Sequence, residues 1–267
     1  MTSTETGVIN VCVASLYRSS GFQSEIVSQA VLNEPVDIID EENRFVRIRM
    51  PDGYEGWIDH DQLVEGPAPD RNLKRVRSHF IRLYRHPDTE SQPVRDAVIG
   101  CELSCIDEAD GWVHVQLPDG DTAWTQAEQF GPFPEFRVET LLDMAAEFLG
   151  YQYLWGGKTP KGLDCSGFVQ LVFSCLGQQL PRDAWMQQQH GTFKSSRIED
   201  ASAGELLFFG KQKDLVTHVG ISLGQGRLIH SQGFVRINSL NPGDADYHPV
   251  LESRFINVNH FQANQLQ

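Results

Sequence analysis

Cys165 has the residue type and the position of a nucleophile. In "KGLDCSGFVQLVFSCLG", residues 161–177, it follows an aspartate just where apolar residues begin to recur at helical spacing. With Asp164 as the N-cap, a helix over 164–176 places Cys165 in its first turn. Unpaired N–H groups and the positive end of the helix dipole there favour a thiolate over a thiol that ordinarily titrates near roughly 8.5. The same N–H groups could hold an oxyanion as a carbonyl is attacked, and Gly167 would keep the turn narrow enough for a substrate to approach. Position alone leaves a second reading equally open. Free cysteine is among the most buried residue types, and Cys165 could belong with Phe168, Val169 and Val172 on the buried stripe. Cys175, between Val172 and Leu176 with no polar neighbour, reads as structural.

A cysteine nucleophile needs a base, and the base needs an orienting group. "THVGISLGQGRLIHSQG" offers His218 and His230 on two strands joined by a glycine turn. With a three-residue loop, Gly224 to Gly226, residues whose numbers sum to 450 pair, so that His218 faces Gln232. His230 then lies diagonally from His218 on the same face of the sheet. A two-residue loop would shift the register and send the rings to opposite faces. An even pairing sum is therefore what the catalytic reading requires. A helix-borne cysteine, a strand-borne histidine and a polar residue on the next strand follow the order of papain-like peptidases.

These residues sit in the last part of a chain of 267 residues, 40% hydrophobic and with a net charge of −14. That acidity argues against nucleic acid, which is bound through a basic face and counterion release. No apolar run approaches the roughly 20 residues that span a bilayer, so no membrane partner is expected. The N-terminus lacks a basic then apolar leader pattern, and a cytoplasmic location is the expectation. The five cysteines show no CxxC pair and no metal-ligand spacing with histidines. Reduced thiols, no metal and no cofactor are expected, and the chain is expected to act as a monomer.

Ahead of the cysteine, the chain repeats itself at an offset of 67 residues. "LYR" at 16–18 falls on "LYR" at 83–85, and "IIDEENRFVRIRMPDGYEGW" on "CIDEADGWVHVQLPDGDTAW". Each unit alternates apolar and polar residues, turns at "PDG" and closes on a tryptophan, the pattern of a small antiparallel barrel. Both units resemble bacterial SH3-like domains, over residues 7–64 and 76–130, with "EGPAPDRNLKR" as the linker. Beyond Pro134 comes a helix in "VETLLDMAAEFLG" ending at Gly150, then the Cys165 helix, then five strand-like runs. The predicted architecture is two all-β SH3-like barrels, 1–66 and 67–133, followed by an α+β papain-like peptidase domain, 134–267.

"YLWGGKTPKGLDCSGFVQLVF", "HVGISLG" and "LIHSQG" together resemble the signature blocks of the NlpC-type bacterial cell-wall cysteine peptidases. The resemblance implies Cys165 as nucleophile, His218 as general base and His230 as third polar residue. It also implies cleavage of the γ-D-glutamyl to diamino-acid bond (lysine or diaminopimelate) of murein stem peptides. The two barrels point to the branch that requires a free N-terminal L-alanine and releases L-Ala-D-Glu, in the manner of peptide recycling. In that branch the pocket residues correspond to Tyr153, Trp155 and Asp183, with Asp164 and Ser166 beside the cysteine. The first barrel caps the site there, which carries over to Tyr54 in "DGYEGW" and Glu25 in "SEIVSQ". A buried ammonium must be paired, and Asp183 and Glu25 are the candidate carboxylates.

The repeat is an internal control: at offset 67, Tyr54 maps onto Asp121 and Glu25 onto Gln92, so only the first barrel has both proposed ligands. Plainer roles exist for each. Tyr54 could be an exposed turn aromatic, Glu25 a solvated loop acid, Asp183 a helix cap, and Tyr153 and Trp155 core aromatics. Ala184 stands where that branch often has serine, which removes a hydroxyl contact. Two other readings are an exported peptidoglycan hydrolase anchored by its barrels and an inactive wall-binding module. The intact Cys165, His218 and His230 count against the second.

Overall fold

The computed structural model describes residues 5–69, 72–212 and 215–261. The chain divides into two compact units, Met1–Phe133 and Pro134–Gln267. In the first, strands β1 (Glu5–Ile9), β2 (Val13–Tyr17), β3 (Ile26–Val31), β4 (Pro35–Glu42), β5 (Phe45–Arg49), β6 (Glu55–Asp59) and β7 (Leu63–Glu65) form one antiparallel sheet, ordered β3-β2-β6-β5-β4-β1-β7. Strands β8 (Leu73–Arg75), β9 (Phe80–Tyr84), β10 (Pro93–Val98), β11 (Glu102–Ala109), β12 (Trp112–Gln116) and β13 (Thr122–Gln126) form a second, ordered β10-β9-β13-β12-β11-β8.

Adding 67 to each residue number carries β2 through β6 onto β9 through β13 with the same limits. It also carries the Tyr17–Trp57 pairing onto Tyr84–Trp124, and Ile9–Leu63 onto Val76–Phe130. The physical cause is shared turn and pleat chemistry. Gly53 and Gly120 of the two "PDG" turns have φ of +80° and +83°, which a side chain would strain. Buried Leu16, Ile48 and Ile58 occupy the places of Leu83, Val115 and Thr125, so one position carries a polar side chain in the second sheet. The two sheets are not independent bodies, because Cys12 and Leu32 of the first pack into the apolar core of the second. Asn33 Nδ2 also donates to the Glu102 carbonyl at 2.7 Å, and Asp119 accepts from Asn10 and Arg95. The stretch 65–75, which reads as a linker, includes β8.

The second unit contains α1 (Val138–Ala146), the short hairpin β14 (Lys158–Thr159) and β15 (Gly162–Leu163), α2 (Cys165–Cys175), α3 (Ala184–His190), β16 (Thr192–Ser195), β17 (Leu206–Phe209), β18 (His218–Gly224), β19 (Arg227–Gln232), β20 (Phe234–Ser239), α4 (Pro249–Ser253) and β21 (Phe255–His260). Its antiparallel sheet is ordered β16-β21-β17-β18-β19-β20. Helix α2 lies against β18 and β19 and is buried almost all round, as an apolar central helix must be. Helix α1 stops at Ala146, short of the expected Gly150. The Gly150 amide leaves the helix to bond the Val235 carbonyl at 2.8 Å, which ties the chain to β20. Strand β16, the β14–β15 hairpin and α4 have no clear periodic signal in the sequence. No described helix is long and apolar enough to cross a membrane.

Candidate active site

Cys165 opens α2, and Asp164 is its N-cap: the carboxylate accepts from the Gly167 amide at 2.7 Å. That carboxylate does more than cap. Arg182, almost fully buried, grips it with two nitrogens at 3.1 and 2.6 Å, and the Gly156 amide and Ser166 hydroxyl add bonds at 3.0 and 3.2 Å. A carboxylate offers about four acceptor sites, so Asp164 is saturated within the protein. Ser166 Oγ in turn accepts from Arg182 at 3.0 Å. Both residues, expected from the resemblance to touch substrate, hold the start of α2 in place. Arg182 escaped the sequence reading although it adjoins Asp183.

Gly167 does not keep space for a substrate. A methyl group there would meet the Gly157 carbonyl oxygen at 2.1 Å, because the 155–158 loop packs backbone to backbone on the first turn of α2. Gly167→Ala must displace that loop, and overpacking of this kind costs about 1–3 kcal/mol. A urea midpoint lowered accordingly, together with reduced peptidase activity, is expected; an unchanged midpoint contradicts the close packing.

The histidines meet. His218 Nε2 and His230 Nδ1 are 2.8 Å apart, and the rings stand edge to face. Ile221 pairs with Ile229 and Ser222 with Leu228, so the pairing sum is 450, as the shared face requires. The route to that register differs from the expected three-residue loop. Gln225 and Gly226, both at positive φ, make a tight two-residue turn in which Gly224 pairs with Arg227. A bulge at Leu223 then restores the even sum. Gly220 stands opposite His230, where a methyl group would lie 3.0 Å from His230 Cβ, and so leaves the ring room. Ser231 Oγ donates to the Leu163 carbonyl at 2.6 Å, which fastens β19 to the residue just before Asp164.

On the other side of His230, Nε2 lies 3.1 Å from Asn238 Oδ1. Asn238 was read only as part of a strand. The parity test finds it: β19 and β20 pair with an even sum (His230 with Arg236), so His230 and Asn238 share a face.

The Cys165 sulfur takes a hydrogen bond from the Val219 amide, next to His218, and another from the Ser166 amide. These oppose, but do not overcome, burial and the neighbouring Asp164 carboxylate, which push the thiol up to about 12. The thiolate expected at the helix start is therefore disfavoured in this site. His218 is driven well below 6.5 by burial, then by His230 and His248; His230 is lowered to about 4, chiefly by burial. A low-dielectric site thus favours the neutral thiol and imidazole over the ion pair. Of the first-turn amides, Gly167 and Phe168 are already bonded to Asp164 and Ser166 to the sulfur, which narrows the oxyanion donors that α2 can offer to the Cys165 amide.

Tyr153 is half-buried, and its hydroxyl is raised first by burial and then by the charges of Cys165 and Asp164. Trp155 is 61% exposed on the same loop, so it is not a core aromatic. Asp183 occupies the N-cap position of α3, half-buried, yet its side chain makes no capping bond. In the first unit, Tyr54 is half-buried against that unit's apolar core, and Glu25 pairs with Arg18 at 2.6 Å. None of the five cysteines, all among the described residues, forms a disulfide. Among the described residues no cluster of His, Cys, Asp and Glu is placed to hold a metal ion.

The histidine pair has a consequence for stability. An unfolded histidine binds a proton near 6.5, whereas folded His230 resists until about 4. Below pH 6.5 the unfolded state therefore takes up protons that the folded state refuses, and stability falls as pH drops toward 4. For His230 alone the loss is on the order of 3 kcal/mol. Urea unfolding measured from pH 7 to pH 4, with a His230→Gln variant as reference, should give this difference. Parallel curves for the two proteins would contradict it.

Residues 150–251 match the NlpC/P60 family, and residues 16–63 match the bacterial dipeptidyl-peptidase SH3 domain. The chain carries an NlpC/P60 domain. It is a cysteine peptidase, with a mostly-β SH3-like region ahead of that papain-like domain. The gamma-D-glutamyl-L-lysine dipeptidyl-peptidase of Bacillus subtilis (strain 168) is 29% identical over 219 residues, 77% of this chain and 72% of that protein. Dipeptidyl-peptidase 6 of Lysinibacillus sphaericus is 27% identical over 91% of this chain and 93% of its own length. The fold of an NlpC/P60 family protein from Bacillus cereus ATCC 10987 superimposes with a TM-score of 0.79 at 21% identity, covering 96% of this chain and 99% of that one.

Proposed function

We propose that this NlpC/P60 peptidase hydrolyses the bond between γ-D-glutamate and an L-diamino acid in murein stem peptides with a free N-terminal L-alanine, releasing L-Ala-D-Glu. The observation that carries the chemistry is the buried sulfur at the head of α2, bonded by the Val219 amide beside a His218–His230 pair 2.8 Å apart. The names of the relatives support the bond, and the net charge of −14 supports a small soluble peptide over an anionic polymer, in a recycling role in the cytoplasm.

Cys165 Sγ attacks the γ-carbonyl carbon while its proton passes to His218, and the carbonyl electrons move to an oxyanion. Collapse breaks the C–N bond, His218 returns the proton to the leaving amine, and a thioester remains. Water, deprotonated by His218, then attacks the thioester, and the carboxylate product leaves as the thiol is re-formed. Asp183, at the head of α3, is assigned to the substrate ammonium on the resemblance, with Tyr153 and Trp155 as pocket walls.

The test is incubation of the protein with L-Ala-γ-D-Glu-diamino acid tripeptide, its N-acetylated form, and intact peptidoglycan, with products read by mass spectrometry. Cleavage of the free tripeptide alone supports the reading. Cleavage of the acetylated peptide or the polymer removes the ammonium requirement and favours an exported hydrolase; no cleavage favours a binding module. With the free tripeptide, Asp183→Asn should raise KM, and unchanged kinetics removes that residue from the pocket.

A further inference from the structure

Asn238 is almost fully buried on β20, outside the three residues assigned to the chemistry, and both ends of its amide are occupied. Nδ2 lies 2.8 Å from the main-chain oxygen of Asp246, a group that only accepts, so the NH2 end must point there. That oxygen takes a second bond from the Ser239 amide at 3.0 Å, and Arg227 holds the Asp246 side chain at 2.6 Å. The anchor is therefore fixed, and Asn238 Oδ1 is left facing His230 Nε2 at 3.1 Å.

The consequence runs along the chain of rings. Oδ1 can only accept, so His230 Nε2 carries a hydrogen. A neutral His230 then has a bare Nδ1, which must accept across the 2.8 Å contact from a hydrogen on His218 Nε2. A neutral His218 with its hydrogen on Nε2 has its lone pair on Nδ1. In the opposite arrangement His230 would donate from Nδ1, His218 would carry its hydrogen on Nδ1, and it could take no proton from a thiol there.

We propose that Asn238, anchored by the Asp246 carbonyl, is a positioning residue that sets the tautomers of His230 and His218 and so leaves His218 Nδ1 as the base for Cys165. Its action is exerted through two rings, without contact with substrate. The inference deepens the peptidase reading above and rests on it for its kinetic consequence, but the tautomers are observable without any substrate. The other charged or titratable groups that act on the two rings are His248 and Arg236, and Cys165 lies against the neighbouring Val219 from α2.

The test compares Asn238→Leu and Asn238→Asp with the unaltered protein. Ring-nitrogen chemical shifts of 15N-histidine-labelled protein should place the hydrogen of both His218 and His230 on Nε2, and Asn238→Leu should show Nδ1–H forms of both. With the free tripeptide, kcat of Asn238→Leu should fall about 100-fold with KM little changed. Asn238→Asp keeps an acceptor for His230, so it should retain kcat within about tenfold of the unaltered protein. Its carboxylate also favours a charged ring, so the acid limb of its pH profile should move to higher pH. A kcat in Asn238→Leu equal to that of the unaltered protein overturns the proposal, as does an Nδ1–H tautomer in the unaltered protein. If the unaltered protein cleaves none of the peptides, the substrate assignment fails, and the ring-nitrogen shifts still decide the role of Asn238.

Discussion

Cys165→Ala should lower kcat/KM for peptide hydrolysis by about 10⁵-fold or more, the loss seen when a nucleophile that works with a base is removed. His218→Ala should cost nearly as much, and the double variant little more, because neither group acts without the other. Burial holds the Cys165 thiol at about 12, so at neutral pH almost no thiolate exists without a base to receive the proton. Activity remaining in His218→Ala should therefore climb with pH as hydroxide takes over. Cys175→Ala, at a fully buried position on the same helix, is the control for cysteine loss as such. It should leave the chemistry intact and lower stability modestly. Equal activity in Cys165→Ala and the unaltered protein would sink the assignment.

The second large effect is structural. Arg182→Leu leaves the buried Asp164 carboxylate without its counter-charge, and breaking a buried pair from one side costs about 3–5 kcal/mol. Arg182→Lys should recover only part of this, since an ammonium cannot reproduce the two parallel bonds from one guanidinium. The double variant Arg182→Leu with Asp164→Asn should be more stable than Arg182→Leu alone, because no charge is then stranded. Urea unfolding of the three variants measures this. A loss under about 1 kcal/mol for Arg182→Leu would mean that the pair is solvated in solution. Peptidase activity should fall with the cap, because Asp164 sets where Cys165 begins its helix.

Much of this molecule can be read without coordinates, and the reason is that local chemistry carried it. The helix around Cys165 starts at an aspartate that caps it, and the PDG turns repeat because glycine takes positive φ without strain. His218 and His230 share a face because side chains alternate along paired strands, and only the parity of the pairing had to be right.

What the tertiary structure decided are quantities that depend on who stands behind a residue. Burial reversed the expected ionisation of Cys165, because the loss of water outweighs a helix terminus. Arg182 fastens Asp164 and Ser166 at the head of α2, an alliance across as many as 18 residues that spacing does not reveal. A bulge at Leu223, invisible in composition, undid the odd register of a two-residue turn. Asn238 acquired its part only when the 246 carbonyl closed over it, since a residue eight positions away in sequence told it which end of its amide to turn toward the histidine.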